Sequence, residues 1–541
     1  MPATAGMVSS EEKFASQIGA QILEKGGNAV DAAVAIGFAL SVTLPKAGNL
    51  AGGGFMMIHD AKHQKNTAID YRETAPGKAH RDMYIVDGQV DQNMLRYSGK
   101  STAVPGTVAG LIYAQKKYGK LTLSEVITPA IRLAEEGFPI SWGLSESLKA
   151  RAKRLKADAG FAKVFYPAKG GFYPHGYRLI RKDLAHTLKL IRKKGRDGFY
   201  KGEVADKLIR AITRFGGIMT KDDLSNYRPT ERQPVTGTYL GYSIVTMPPP
   251  SSGGVHLIQM LNTLENFPLA KWGANRAKTI QVMVEAMRSA YADRSYYLGD
   301  PDFVKIPVKQ LTSKAYAKHI SEQITLGKAR KSTDVKPGNL TPYESPQTTH
   351  FSVIDKDGNM VSNTYTLNYS YGSGHMVAGT GIVLNNEMDD FSAKPGVPNG
   401  YGLVGGEANS VQPGKRPLSS MTPTLVFKDG QPFLATGSPG GSTIITVTME
   451  TIVNVLAFDM NIAAATAWPR FHHQWLPDVV FVEPGISEDT NEKLREMGYK
   501  IKKGRTLGNT QSIQVINGMQ FGSADPRRPG GTVVAAKAST K

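Results

Sequence analysis

The chain has 541 residues, 40% of them hydrophobic, which is ample material for a buried core. It contains no cysteine, which excludes disulfide bonds and thiolate metal sites. The formal net charge is +19, and the whole excess lies before residue 348. The length alone is typical of two to four domains.

Helical spacing of apolar residues dominates the first part of the chain. It predicts helices over the segments 11–25, 29–44, 105–118, 123–136, 184–195, 203–214 and 275–294. The apolar run from Val30 to Leu44 follows a Gly26-Gly27 break, includes Asp31 and is too short to span a bilayer. We therefore predict a buried helix there.

The basic excess is concentrated between Lys149 and Arg214. This segment contains 19 Lys and Arg residues and 5 Asp and Glu residues. Such a stretch suits an anionic partner, for example nucleic acid, lipopolysaccharide or a membrane surface. It is equally typical of a solvated, lysine-rich helical face without a partner. We favour the solvated face, because no nucleic-acid-binding motif accompanies the charge.

The later part of the chain is predicted to be rich in strands. They cover 350–355, 360–367, 381–385, 424–428, 433–436, 478–482 and 511–516, with one helix near 443–457. A Pro- and Gly-rich run at 248–254 predicts a rigid turn.

Thr348 opens the first of these strands, in the sequence Thr348-Thr-His-Phe-Ser. A threonine at a chain end combines a hydroxyl nucleophile with a base, since its α-amino group has a pKa of about 7.7–8.0. Taken alone, the sequence is more often an ordinary strand start, because threonine favours strands.

Further motifs occur in a fixed order around Thr348. They are Asp70-Tyr-Arg-Glu-Thr-Ala-Pro76 upstream and the segments 355–372, 381–406, 415–424 and 437–442 downstream. Together they resemble the γ-glutamyltransferases (γ-glutamyltranspeptidases, glutathione hydrolases) of the N-terminal-nucleophile hydrolase superfamily. The resemblance extends along the chain from Gly6 to Arg527. The resemblance implies an α/β fold, a four-layer αββα sandwich. It also implies one compact domain, formed jointly by a large fragment (1–347) and a small fragment (348–541) after self-cleavage between Gln347 and Thr348.

The resemblance assigns catalytic roles to four residues. Thr348 is the expected nucleophile, and Thr366 is expected to hold its amine. The backbone N–H groups of Gly440 and Gly441 are expected to stabilise an oxyanion. Read locally, Thr366 is a strand residue and the two glycines form a plain turn.

The resemblance also implies a site for a γ-glutamyl group. The expected carboxylate-binding residues are Arg72, Ser419 and Ser420; the expected ammonium-binding residues are Asn368, Glu387 and Asp390; and Tyr401 occupies the gating position of a lid loop, 394–406. Without the resemblance, Arg72 would be interpreted as a surface ion pair with Glu73 or Asp70, and 387–390 as a solvated acidic turn.

These roles imply two-step acyl transfer. The γ-glutamyl group of glutathione or a related compound passes to Thr348 and then to water or to an acceptor amino acid or peptide. The fragments are expected to form a heterodimer, and no metal or organic cofactor is implied.

Two alternatives stay open. A glutaryl (cephalosporin) acylase of the same fold would bind a substrate without an α-ammonium group. Glu387 and Asp390 argue against it, because unmatched carboxylates in a desolvated pocket are costly. A non-catalytic protein that binds through its basic face is the second alternative.

Three other motifs are set aside. The Asp355-Lys-Asp-Gly358 turn begins like a calcium loop, but its twelfth position is Thr366 and not a glutamate. His472 and His473 are adjacent in a predicted strand and would point to opposite faces. The glycine run after Ala51 lacks the ending of a phosphate-binding loop.

The first residues show no basic region followed by an apolar one, so no signal peptide is recognised. The chain begins where members of the family begin after signal removal. We therefore expect a protein native to the periplasm or the cell exterior of a bacterium.

Overall fold

The computed structural model describes residues 2–335, 348–397, 399, 402–504 and 506–538. Two predicted site residues, Gln347 and Tyr401, lie outside these described residues.

Two large antiparallel sheets contain thirteen strands. In chain order these are β1 (Gly6–Ser10), β2 (Gly53–Asp60), β3 (Lys65–Asp70), β4 (Thr230–Arg232), β5 (Val235–Tyr239), β6 (Tyr242–Thr246), β7 (Thr349–Asp355), β8 (Met360–Thr366), β9 (Thr424–Lys428), β10 (Gln431–Thr436), β11 (Gln511–Ile516), β12 (Met519–Ala524) and β13 (Thr532–Ala535). The first sheet has the order β13-β1-β7-β8-β2-β3-β4, and the second has the order β12-β11-β10-β9-β6-β5. Strand β7 therefore lies inside the first sheet, between β1 and β8.

Helices cover both outer faces. The longer ones are α1 (Lys13–Glu24), α2 (Ala29–Thr43), α3 (Thr107–Tyr118), α4 (Leu123–Glu136), α5 (Trp142–Ala150), α6 (Lys182–Lys194), α7 (Gly202–Arg214), α8 (Gly253–Leu264), α9 (Ala277–Tyr297), α10 (Lys314–Glu322), α11 (Thr443–Leu456) and α12 (Glu488–Glu496).

Shorter elements join them. The short helices are Gln92–Tyr97, Ala152–Leu155, Ala159–Phe165, Asp197–Tyr200, Lys221–Asn226, Leu269–Trp272, Val308–Leu311 and Ile462–Ala467, and the 3-10 turns are Gly99–Ser101, Ser332–Asp334, Glu387–Asp390 and Glu407–Asn409. The small sheets use Ile85–Val86, Gln89–Val90, Phe138–Pro139, Arg178–Leu179, Met376–Val377, Ile382–Val383, Phe471–His472, Val480–Val482 and Ile501–Lys503.

Alternation along the strands produces three stacked cores. In β2, Phe55 and Met57 pack between the sheets with residues of β9 and β10. Met56 and Ile58, on the other face, pack with α1 to α4. On the far side of the second sheet, β6, β9 and β10 pack against α8, α9 and α11. The layers are thus helix, sheet, sheet and helix, and the predicted four-layer sandwich is confirmed.

The predicted buried helix is α2, whose fifteen residues are all buried. It begins with a capping box, in which the Asn28 side chain accepts from the Asp31 N–H and the Asp31 carboxylate accepts from the Asn28 N–H. The same carboxylate also accepts from Gln115 Nε2 and from the backbone N–H groups of Lys120 and Leu121. Asp31 therefore joins the start of α2 to the segment between α3 and α4.

All seven helices predicted for the first part are present, but that part also contributes six strands to the two sheets. Of these six, β2 was not predicted because it is buried on both faces. Its sequence, Gly-Gly-Phe-Met-Met-Ile, is an apolar run without the alternation that marks a half-exposed strand. As a result, strands from before and after residue 348 share both sheets.

Part of the basic stretch is balanced within the molecule. Lys189 pairs with Glu135, and Lys207 pairs with Glu203 at 2.8 Å. Both pairs involve partly exposed side chains on helical surfaces, in keeping with the solvated face predicted above. In the part of the chain that the structure describes, no helix is both long and apolar enough to cross a bilayer.

We expect Asp31→Ala to lower the free energy of unfolding by about 3 kcal/mol or more, because several buried N–H groups would lose their acceptor. Asp357→Ala is the matched control. It removes an exposed carboxylate 3.3 Å from Lys120, and should change stability by less than ~1 kcal/mol. Denaturant unfolding of both variants measures the difference, and equal effects would contradict the role given to Asp31.

Candidate active site

One pocket gathers most of the predicted site residues. Its lining includes Arg72, Thr348, Thr366, Asn368, Glu387, Asp390, Ser419, Ser420 and Gly441. Gly440 adjoins this set in sequence. Arg294, Leu403, Leu418, Met421 and Ile444, which sequence reasoning did not select, complete the wall.

Strand pairing brings the two threonines together. Thr349 of β7 is paired with Tyr365 of β8, so this register sets Thr348 beside Thr366 at the end of the two strands. Thr348 is buried, with 4% of its surface exposed. The Thr366 hydroxyl accepts from the Asn368 N–H at 2.8 Å.

Gly52, just before β2, packs against the backbone of Thr366 and must be a glycine. A side-chain carbon at Gly52 would lie 1.9 Å from the carbonyl oxygen of Thr366. That carbonyl accepts from Asn49 Nδ2 at 2.9 Å. The glycine run after Ala51 therefore permits close backbone packing behind Thr366.

The nearest histidine in β7 is unsuited to act as a base for Thr348. His350 Nδ1 lies 2.8 Å from Thr364 Oγ1, and its Nε2 lies 3.2 Å from Ser352 Oγ. Burial lowers the pKa of His350 to about 3, so the ring is neutral at pH 7. Both nitrogens are engaged in holding the strand.

A buried arginine forms a charged cluster with three carboxyl groups, two of which, Glu387 and Asp390, line the pocket. The Arg72 guanidinium donates to Glu387 and Asp390, lies 3.5 Å from Glu73, and donates from Nε to the Pro417 carbonyl at 3.1 Å. The surface ion pair with Glu73 or Asp70 is therefore the wrong interpretation of Arg72. Its side chain is fully buried and Asp70 pairs with other arginines.

Burial controls the ionisation of this cluster. It raises the pKa of Asp390 and of Glu73 to about 7, although Arg72 opposes the shift in both. Burial also raises the pKa of Glu387 well above its usual range, again against Arg72. Burial opposes the charge of Arg72, but Glu387, Asp390 and Glu73 raise its pKa. The arginine stays charged, Asp390 and Glu73 titrate near pH 7, and Glu387 has the protonated form favoured by burial.

The acidic turn is held from beneath by amides. Asn385 Oδ1 accepts from the Glu387 N–H at 3.0 Å, and its Nδ2 donates to the carbonyls of Ala51 and Ala103. Asn368 Nδ2 donates to the Asn386 carbonyl at 3.0 Å. The interpretation of 387–390 as a solvated acidic turn is wrong, since Glu387 is fully buried.

The serine pair is supported by residues that sequence reasoning missed. Ser252 donates from N and from Oγ to the Ser419 carbonyl, at 2.9 and 2.8 Å. Arg294 donates from Nε to Ser252 Oγ at 2.9 Å and from Nη2 to Ser420 Oγ at 3.2 Å. The predicted turn at 248–254 thus lies directly behind the pocket.

Arg294 gave no signal in the sequence because Asp293 precedes it, which suggests an ordinary surface charge pair. In the fold, Asp293 instead accepts from Gln259 Nε2 and from the Tyr316 hydroxyl. Arg294 contacts different partners, Ser252 and Ser420, and lines the pocket.

Gly440 and Gly441 lie immediately before α11. Their φ values are +146° and +58°, and their carbonyls accept from the N–H groups of Thr443 and Ile444. A side-chain carbon at Gly440 would lie 2.4 Å from Thr443 Oγ1. Within the described residues, neither glycine N–H has an acceptor, and a helix N-terminus favours negative charge.

Part of the predicted lid loop borders the pocket through Leu403. The loop closes on itself, since the Gly396 N–H donates to the Gly405 carbonyl and the Asn399 N–H donates to the Leu403 carbonyl. Tyr401, the expected gate, lies outside the described residues.

The motifs set aside as metal sites have other contacts. His472 lies near Thr446 and Gln474, whereas His473 lies 3.3 Å from Asp478. Asp355 accepts from the N–H groups of its own turn. Across the described ranges, no group of three His, Cys, Asp or Glu side chains is arranged to hold a metal ion.

Comparison with known proteins gives consistent matches along the chain. Residues 15–535 match the family model described as gamma-glutamyltranspeptidase. A glutathione hydrolase proenzyme from Escherichia coli K12 is 51% identical over 96% of this chain and 90% of its own length.

Two solved structures extend the comparison. A cephalosporin acylase from Bacillus halodurans aligns with a TM-score of 0.89 and 30% identity, over 100% of this chain and 97% of that one. A gamma-glutamyltranspeptidase chain from Helicobacter pylori aligns with a TM-score of 0.59 and 46% identity, over 61% of this chain and 95% of that one. By sequence and by fold, the chain belongs to the gamma-glutamyltranspeptidase family.

Proposed function

We propose that this protein is a γ-glutamyltransferase and glutathione hydrolase whose nucleophile is Thr348. The observation that carries the proposal is the shared pocket, which Thr348 lines together with Arg72, Glu387 and Asp390. Such a pocket suits a substrate that combines an amino acid zwitterion with a cleavable amide. Family membership and the relative from E. coli support the same activity.

The first step is attack of Thr348 Oγ on the γ-carbonyl carbon of the substrate. The free α-amine of Thr348 takes the hydroxyl proton, and the carbonyl oxygen becomes an oxyanion that the N–H groups of Gly440 and Gly441 stabilise. The C–N bond then breaks, and the proton passes to the departing amine. For glutathione that amine is cysteinylglycine, and the γ-glutamyl group remains as an ester on Thr348.

The second step regenerates the threonine. Water, or the amine of an acceptor amino acid or peptide, attacks the ester carbonyl after giving a proton to the Thr348 amine. The ester C–O bond breaks and the proton returns to Thr348 Oγ. The product is glutamate with water, or a new γ-glutamyl amide with an acceptor amine.

We propose that the same hydroxyl produces the chain end. Thr348 Oγ attacks the carbonyl of Gln347, the acyl group moves from nitrogen to oxygen, and water hydrolyses the ester. This leaves a carboxylate on Gln347 and an amine on Thr348. The relatives named as proenzymes support processing. The pairing of β1 with β7 supports a heterodimer of the two fragments, since it joins them within one sheet.

We expect Thr348→Ala to remain one uncut chain, because it lacks the attacking hydroxyl. Thr348→Ser should still cut, and Thr349→Val is the matched control because it alters the neighbouring buried threonine. Intact-mass analysis gives the fragments; wild-type protein should separate between residues 347 and 348. Two fragments from Thr348→Ala would refute self-cleavage by this residue.

The acylase alternative makes a different demand on the pocket. The B. halodurans structure is that of a cephalosporin acylase, and a glutaryl substrate has no α-ammonium group. Glu387 and Asp390 would then lack a cation from the substrate. We therefore expect kcat/KM for γ-glutamyl-p-nitroanilide to exceed that for glutaryl-p-nitroanilide by at least about tenfold, as for one charge-assisted hydrogen bond. A preference for the glutaryl compound would favour the acylase.

The raised pKa of Asp390, about 7, predicts a pH dependence of substrate binding. Below that pKa the carboxyl is protonated and pairs poorly with an ammonium group, so KM for γ-glutamyl-p-nitroanilide should fall as the pH rises from 6 to 8. Asp390→Asn should raise KM about tenfold or more and flatten its pH profile. An unchanged profile in this variant would assign the titration to another group.

We also propose that the protein acts outside the cytoplasm, in the periplasm or beyond the cell. Its lack of cysteine supports this location, and fractionation of the native cells would test it. No anionic partner is proposed for the basic stretch, and turnover that depends on Thr348 would exclude the purely non-catalytic alternative.

A further inference from the structure

Among the described residues, Arg294 is the pocket arginine that has no carboxylate within ion-pair distance, although Asp390 acts on it at longer range. It is buried in the last turns of α9, with 5% of its surface exposed. Burial lowers its pKa to about 10, so the guanidinium remains charged at neutral pH. An unpaired buried cation is costly, and such a group is retained more readily where an anion binds.

The two pocket arginines differ in their free hydrogen-bonding capacity. A guanidinium has five N–H donors. Arg72 directs four of them to Pro417, Glu387, Glu73 and Asp390. Arg294 directs two of them, to Ser252 and Ser420, and the described residues offer no acceptor for the other three. The donor capacity that remains in this pocket therefore lies mainly with Arg294.

Arg294 also holds both serines of the pair. It contacts Ser420 directly, and it reaches Ser419 through Ser252, whose hydroxyl accepts from Arg294 and donates to the Ser419 carbonyl. Because Ser420 Oγ accepts from the arginine, its own proton is left to point towards a ligand. A carboxylate is the ligand that would meet this hydroxyl and the guanidinium together.

We infer that Arg294 is a positioning residue, which holds Ser419 and Ser420 in the geometry with which they meet the α-carboxylate of the γ-glutamyl group. It orients Ser419 and Ser420 and adds a second positive charge to that of Arg72, on the serine side of the pocket. Loss of Arg294 should therefore impair γ-glutamyl amides with an ionised α-carboxylate more than their α-amidated analogues. The inference rests on the proposed function of the same site.

Two substrates separate recognition of the carboxylate from all other effects. They are L-γ-glutamyl-p-nitroanilide and the same compound with its α-carboxylate converted to a carboxamide, which has the same shape and no charge. We expect Arg294→Gln to lower kcat/KM for the first by about 10- to 100-fold, mainly through KM, as for a lost charge-assisted contact. The carboxamide should lose less than about threefold, so the variant no longer discriminates between them.

Arg288→Gln is the matched control. Arg288 is also buried in α9, six residues before Arg294, but it pairs with Glu285 and Asp478, away from the pocket. Its loss should lower stability and leave the ratio of the two substrates unchanged. Equal losses on both substrates in Arg294→Gln would overturn the inference, because they would indicate a merely structural role.

Ser252→Ala and Arg294→Lys keep the test decisive if Arg294→Gln does not fold. Ser252→Ala removes one of the two hydrogen-bond acceptors of Arg294. Arg294→Lys keeps the positive charge but cannot donate to both serines in the geometry of a guanidinium. Each should reduce discrimination against the carboxamide at least threefold, and an unchanged ratio in both would overturn the inference. Failure of the proposed function gives a different result from failure of this inference. In that case the wild-type protein itself would turn over neither substrate.

Discussion

The pairing of β7 with β8 is the constraint on which the rest of the site depends. It sets Thr348 and Thr366 side by side at the end of two interior strands, in a sheet whose two faces are both covered. Strand β7 is held by β1 on its other side, so neither threonine can shift without breaking a ladder of hydrogen bonds. Catalytic groups on such interior strands keep their geometry more tightly than groups on free loops.

Burial in the pocket also controls the protonation of its charged side chains. Water is largely excluded around Arg72, Glu387 and Asp390, so their ionisation is governed by burial and by one another. Burial raises the pKa of both carboxyls, because one shared guanidinium does not compensate for the desolvation of all the acidic groups around it. A zwitterionic ligand would bring charges of both signs into this arrangement, and Arg294 supplies a second cation at the serine side.

The motifs around Thr348 were enough to predict the fold class and most of the pocket lining. Several features of the site and the fold were not predicted from the sequence. Arg294 and Ser252 were missed because their partners are distant in the chain and no local pattern marks them. Strand β2 was missed because burial on both faces removes the alternation on which strand prediction depends. Arg72 read by itself suggested a surface pair, although the fold buries it completely.

The sequence by itself determined the family, the candidate nucleophile and the helix-rich first part, because these depend on residue types in a fixed order and on local periodicity. The tertiary structure decided which charges meet. It pairs Arg72 with Glu387 and Asp390, more than 300 positions away, and among the described residues it places no carboxylate in ion-pair contact with Arg294, although Asp293 precedes it. Such partners are chosen by packing between layers, which local sequence patterns do not encode.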